Sequence, residues 1–135
     1  MPSNENTPLL TISQRPRSSK RSALFWTLAC VYGATAVGLG AYGAHGLKKA
    51  VAADPARVAA WATAAHYQLV HSVALLVAAQ NGNPVSGLLF AAGMTLFSGS
   101  LYALTLDPAR FRFLGPVTPL GGLCLIGGWA VLAFK

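Results

Sequence analysis

Apolar residues fall into four long blocks separated by short polar punctuation. Residues 22–46 read SALFWTLACVYGATAVGLGAYGAHG, and blocks over 58–80, 85–106 and 113–134 follow with equally little charge. A block of about 22 residues rising ~1.5 Å per residue reaches on the order of 33 Å, enough to cross a hydrocarbon core of ~30 Å. Backbone groups find no water there, so uncharged blocks of this length are expected to be helices. The second block is the most polar, with His66, Gln68 and His71 among its alanines.

The connections carry helix punctuation. Asp54-Pro55 reads as an N-cap followed by proline at the first helical position. Asn81-Gly82-Asn83-Pro84 is a turn signature, and Asp107-Pro108-Ala109-Arg110 closes the third block. Pro116 and Pro119 fall early in the fourth block, where proline is tolerated. Links this short force neighbouring helices antiparallel. The expected fold is all-α: a four-span transmembrane antiparallel helical bundle over residues 22–135, with both termini on one side. Residues 1–21, polar and punctuated by Pro2, Pro8 and Pro16, read as a disordered basic tail.

Composition supports a membrane chain. Of 135 residues, 54% are hydrophobic and only 10% charged, against about a quarter charged in soluble domains. A disordered chain, a coiled coil and an ordinary cytosolic enzyme are excluded on that ground. The net charge of +7 would suggest nucleic acid in a soluble protein. Here the cations sit between apolar runs with no polar face beside them, so they read as contacts to lipid headgroups rather than to nucleic acid. Arg15, Arg17, Lys20, Arg21 and Lys135 flank the terminal side, and Lys48, Lys49, Arg57, Arg110 and Arg112 the other. The leading flank of the first helix is the more basic, which favours cytosolic termini. In that tail Glu5, Leu9 and Leu10 form an acidic dileucine pattern of the kind that routes membrane proteins to vacuoles or lysosomes. The acid-poor, Arg- and Ser-containing tail leaves a mitochondrial membrane as the alternative. Cys30 and Cys124, each inside an apolar run, read as small core residues.

Gly38-Leu39-Gly40-Ala41-Tyr42-Gly43 spells GxGxxG but has no preceding strand and lies inside a span, so it is no dinucleotide site. Small residues at four-residue spacing, Ala36, Gly40 and Ala44 on the first helix and Thr95, Gly99 and Ala103 on the third, instead read as close-packing faces. Polar groups in lipid need partners, so His45, Gln68, His71, Ser98, Ser100, Tyr102 and Thr118 are expected to face inward. Gln68 and His71 share a face near the stripe of Trp61, whereas His66 lies roughly 140° round the helix from His71. That spacing disfavours a metal site, and none is assigned; nor is a cofactor. The inward set is either a hydrogen-bonded structural knot or a cluster that holds a proton or small ligand. No Asp or Glu lies within a span, which leaves nucleophilic catalysis without an orienting carboxylate.

Linked motifs carry a family likeness: Gly40 to Leu47 (GAYGAHGL), Tyr67-Gln68 with His71, Phe97 to Leu104 (FSGSLYAL), Gly115 to Gly122 (GPVTPLGG), and Gly128-Trp129. Over residues 24–134 the chain is similar to the transmembrane protein 256 family of small four-helix membrane proteins. The resemblance implies an integral membrane protein of uncharacterised function and supplies no catalytic residues. The expected role is a non-enzymatic accessory or assembly subunit, whose partners are the bilayer and a membrane protein or further copies of itself. The alternative is a small carrier or sensor that binds a proton or ligand at the inward polar cluster.

Overall fold

The fold is described from a computed structural model over residues 20–134. It is helical, with no strand among the described residues. Four helices are long and apolar enough to span a membrane: α1 (Lys20–His45), α3 (Pro55–Gln80), α4 (Pro84–Leu106), and a last span that opens with a 3-10 turn at Arg112–Leu114 and continues as α5 (Val117–Ala133). A short helix, α2 (Leu47–Ala50), links α1 to α3. The dileucine residues Glu5, Leu9 and Leu10 lie outside the described residues, as does the rest of the tail before Lys20.

Helix starts follow from local chemistry. The Asp54 carboxylate accepts from Ala56 N at 2.9 Å and Arg57 N at 3.4 Å, with Pro55 at the first helical position. Asn83 caps α4 in the same way, accepting from Ser86 N at 3.1 Å ahead of Pro84. Each carboxylate or amide oxygen satisfies amides that no helical carbonyl can reach. Gly82, at φ +63°, turns the chain between the two helices, a conformation glycine adopts without steric cost. The fourth span is not helical from its first residue. The 3-10 turn ends at Gly115, and Pro116 caps α5, so the regular helix starts at Val117.

Packing reverses the habit of soluble proteins. Large apolar side chains such as Val37, Leu88, Leu123 and Ile126 lie exposed on the outside, the face that lipid covers. Inside, small residues (Ala29, Ala36, Ala64, Ala65, Ala74, Ala78, Ser86 and Ser98) pack around a few large ones, Leu75, Phe90, Met94 and Leu125. Lipid tails exert no hydrophobic pressure between helices, so close van der Waals contact and interhelical hydrogen bonds hold the bundle. α1 packs chiefly on α3, α3 on α4, and α4 on α5. Glycine against a bulky partner recurs at these contacts. Gly43 faces the Trp61 ring, Gly87 faces Phe25, Gly93 faces Leu125, and Gly128 faces Phe90. Gly121 lies directly against the Phe97 backbone.

Two features were not foreseen from the pattern of the chain. Leu47 and Val51, on and just after α2, are fully buried under Trp61, while Lys48 and Lys49 stay outside. Arg57 reaches across to the end of α4, its Nε donating to Thr105 O at 2.7 Å and its Nη2 to Leu106 O at 2.8 Å. That clamp places a cation on the carbonyls that a helix end leaves unpaired, where the helix dipole is negative. Cys30 faces outward rather than into a core, and Cys124 is half-buried.

Candidate functional site

Among the intramembrane polar groups, Gln68 links three helices. It is buried on α3, and its amide Nε2 donates to Tyr32 O at 2.9 Å and to Thr35 Oγ1 at 2.8 Å on α1. Its Oε1 accepts from the Tyr102 hydroxyl on α4 at 3.1 Å. One side chain therefore ties three helices and uses both amide hydrogens and its oxygen. Trp61 adjoins this knot. Its Nε1 donates to Leu39 O at 2.7 Å, and its ring lies between Tyr42 and Tyr102, at centroid distances of 5.4 and 4.6 Å.

The other polar residues make separate ties. Ser98 Oγ donates to Ala64 O at 2.9 Å, joining α4 to α3. Ser100 shares a hydrogen bond with Thr118 Oγ1 at 2.7 Å, joining α4 to α5, and also donates to Phe97 O at 3.0 Å. Ser86 Oγ donates to Gly128 O at 2.9 Å, a second α4–α5 tie. Tyr32 and Thr95 meet through their hydroxyls at 2.5 Å, joining α1 to α4. The expected inward set is thus divided among several helix contacts and does not converge on one centre.

The histidines are apart from all of these. His45 ends α1 and is exposed. Gly33 lies beside Ser72, the residue next to His71, and His45 is twelve residues further along α1, about 18 Å at the helical rise. No group of three His, Cys, Asp or Glu able to hold a metal occurs among the described residues. His71 is 7% exposed. Its Nδ1 lies 2.7 Å from Tyr67 O, one helical turn back. A carbonyl can only accept, so Nδ1 carries the hydrogen and a neutral His71 presents Nε2 as an acceptor. The ring packs near Tyr67, Phe90 and Trp129, with centroids 5.6, 6.0 and 6.1 Å away. It lines a groove of about 310 Å³ with His66, Tyr67, Val70 and Trp129. His66 stands at the exposed edge of that groove in spite of its angular separation from His71.

Among the small residues read as packing faces, Ala36 is buried and Gly40 has Ala65 Cβ 3.9 Å from its would-be Cβ. Ala103 is half-buried and Thr95 serves through its hydroxyl. Ala44 is exposed, and a Cβ on Gly99 would meet nothing within 4 Å. The tight contacts at Gly43, Gly87, Gly93, Gly121 and Gly128 lie on other positions. Tyr32, Thr35, Ser86, Arg57 and Trp129 were not singled out as site residues, though Tyr32 and Thr35, three apart on one helix face, carried a visible signal.

Comparison with known proteins agrees with this architecture. Residues 39–122 match the family described as "Protein of unknown function (DUF423)". The UPF0382 membrane protein C1782.12c of Schizosaccharomyces pombe is 43% identical over 116 residues, which cover 79% of this chain and 96% of that protein. YwdK of Bacillus subtilis, also a UPF0382 membrane protein, is 37% identical over 117 residues, covering 81% and 92%. The UPF0382 inner membrane protein YgdD of Escherichia coli is 38% identical over 112 residues, covering 77% and 82%. No solved structure matches the chain significantly. With four apolar spans and relatives matched over most of their length, the chain is an integral multi-pass membrane protein and belongs to the DUF423/UPF0382 family, whose function is uncharacterised.

Proposed function

We propose that this protein is a non-enzymatic accessory or assembly subunit of a larger membrane complex. The observation that supports this best is how the intramembrane polar groups are used. Gln68, Tyr102, Ser98, Ser100 and Thr118 each form a tie between helices. Catalysis or transport would need such groups gathered and free to change partners. Their use as ties makes a stiff bundle, and the bundle offers a neighbour long apolar faces: on α1 only Ala29, Ala36 and Gly43 are buried. Affinity purification in mild detergent followed by mass spectrometry is expected to bring down a larger membrane complex in fixed ratio to this chain. A chain that elutes alone as a monomer under those conditions overturns the accessory role.

A second reading, a small carrier or sensor, draws support from His71, whose Nδ1 is taken by the Tyr67 carbonyl and whose ring lines a groove. The narrower likeness to the transmembrane protein 256 family rests on the motifs around His45, Gln68, Ser100 and Thr118. We place the protein in a vacuolar or other endomembrane on the Glu5, Leu9 and Leu10 pattern, with a mitochondrial membrane as the alternative on the acid-poor, Arg- and Ser-containing tail. Replacing Leu9 and Leu10 together with alanine is expected to redirect a fluorescent fusion; an unchanged distribution removes the sorting role.

A further inference from the structure

We infer that the groove between α3 and α5 holds the ring of a membrane-dissolved hydroquinone, with one hydroxyl donating to His71 Nε2. This deepens the ligand-holding reading of the same residue by naming the chemistry of the ligand, and it stands apart from the accessory role.

Three observations carry it. The first is polarity. The Tyr67 carbonyl fixes the hydrogen on Nδ1, so the opposite nitrogen of a neutral ring is an acceptor and has no partner among the described residues. His71 is more than nine-tenths buried, yet its ring borders the groove. An acceptor there is best matched by a hydroxyl donor; a ketone oxygen, itself only an acceptor, gains nothing from it.

The second observation is depth. His71 stands nine residues before the end of α3 at Gln80, about 13 Å along the axis. Half of a ~30 Å hydrocarbon core is about 15 Å. Phosphate headgroups stay at the interface, far from that level, so the donor must belong to a molecule that is apolar overall. The third is wall chemistry. Tyr67 stacks on His71 at an interplanar angle of 26°, and Trp129 meets it edge-on at 65°. Aromatic faces and edges arranged this way favour another flat aromatic ring, through offset-stacked and edge-to-face contacts. A groove of about 310 Å³ walled in part by the exposed Tyr67, Val70 and Trp129 suits a single ring with its tail left in the bilayer.

The test uses the full chain in phosphatidylcholine nanodiscs kept free of oxidant. Decyl hydroquinone and its dimethyl ether are titrated against tryptophan fluorescence. The two probes share shape and greasiness and differ in the hydroxyl donor. Saturable quenching by the hydroquinone is expected, with the ether at least about tenfold weaker, the ratio set by one lost hydrogen bond. Trp129→Phe is expected to remove most of the saturable signal. His71→Phe, which keeps an aromatic ring and deletes the acceptor, is expected to lower hydroquinone binding to the level of the ether. His71→Gln, which returns an acceptor oxygen, is expected to recover part of it. Equal binding of hydroquinone and ether overturns the donor requirement while leaving a groove that holds apolar molecules. Quenching that rises linearly with both probes overturns the ligand reading altogether. The comparison of probes holds on the unaltered chain, so it survives a variant that fails to fold.

Discussion

Gly121→Ala is expected to destabilise the bundle by about 1–3 kcal/mol, the cost of forcing a methyl group into a filled interface. A Cβ at this position would run into Phe97 N and stand 2.8 Å from Phe97 Cα and 2.9 Å from the Leu96 carbonyl carbon. All three are backbone atoms of α4, so no rotamer change relieves the clash and α5 must move away as a body. Displacement of α5 also strains the neighbouring contacts. Leu125 is seated on Gly93, Gly128 on Phe90, and the Ser100–Thr118 and Ser86–Gly128 hydrogen bonds cross the same interface. Gly99→Ala is the control, because nothing lies within 4 Å of its would-be Cβ, and helix propensity alone favours alanine there. Thermal unfolding of both variants in the same detergent checks the contrast. Equal midpoints for the two would show that α4 and α5 are not in backbone contact at this level.

The position of Gly121 explains why the fold was legible in the sequence and the contacts were not. Four uncharged blocks of spanning length, with Asp54-Pro55 as a helix start and Asn81-Gly82-Asn83-Pro84 as a turn, dictate helices, their order and their antiparallel sense. Which side of each helix faces its neighbours is another matter. In a soluble helix the apolar stripe marks the buried face; here every side is apolar and the stripe disappears. Small residues are the remaining guide, and their period decides the outcome. Four residues advance a helix by 400°, so Ala36, Gly40 and Ala44 drift by about 80° across the series. Seven residues advance it by 700° and drift by only about 20° per repeat. The buried residues of α1 are Ala29, Ala36 and Gly43, and those of α5 include Gly121 and Gly128, both series at the seven-residue step. That period keeps a seam in register along antiparallel neighbours, and it leaves Ala44 outside. The polar residues were less legible still. Gln68 and His71 are three apart and share a broad face, but that face meets three neighbouring helices. Gln68 meets α1 and α4, while His71 turns towards Phe90 and Trp129.

The largest single loss is expected from Trp61→Ala, about 3–5 kcal/mol, the range for truncating a buried tryptophan. Trp61 is 3% exposed and does four things at once. Its ring covers Leu47 and Val51, the only anchors of α2 in the buried cluster there. It fills the notch at Gly43, where a Cβ would stand 2.6 Å from its Cδ1. Its Nε1 holds the Leu39 carbonyl at 2.7 Å, and its face supports Tyr102, which in turn donates to Gln68. Truncation therefore opens a cavity and frees Tyr102 to leave Gln68 half-satisfied. Trp129→Ala provides the contrast. That ring is 47% exposed, and its indole nitrogen makes no hydrogen bond among the described residues, so a loss below about 1 kcal/mol is expected. The two variants can be ranked by unfolding in a graded mixture of mild detergent and dodecyl sulfate. Hydrogen exchange at the Leu47–Val51 amides adds a local readout, because loss of the Trp61 cover should speed exchange there and leave the α4–α5 interface protected. If Trp61→Ala unfolds no more readily than Trp129→Ala, the tryptophan is a lipid-facing anchor and the seating of α2 beneath it is wrong.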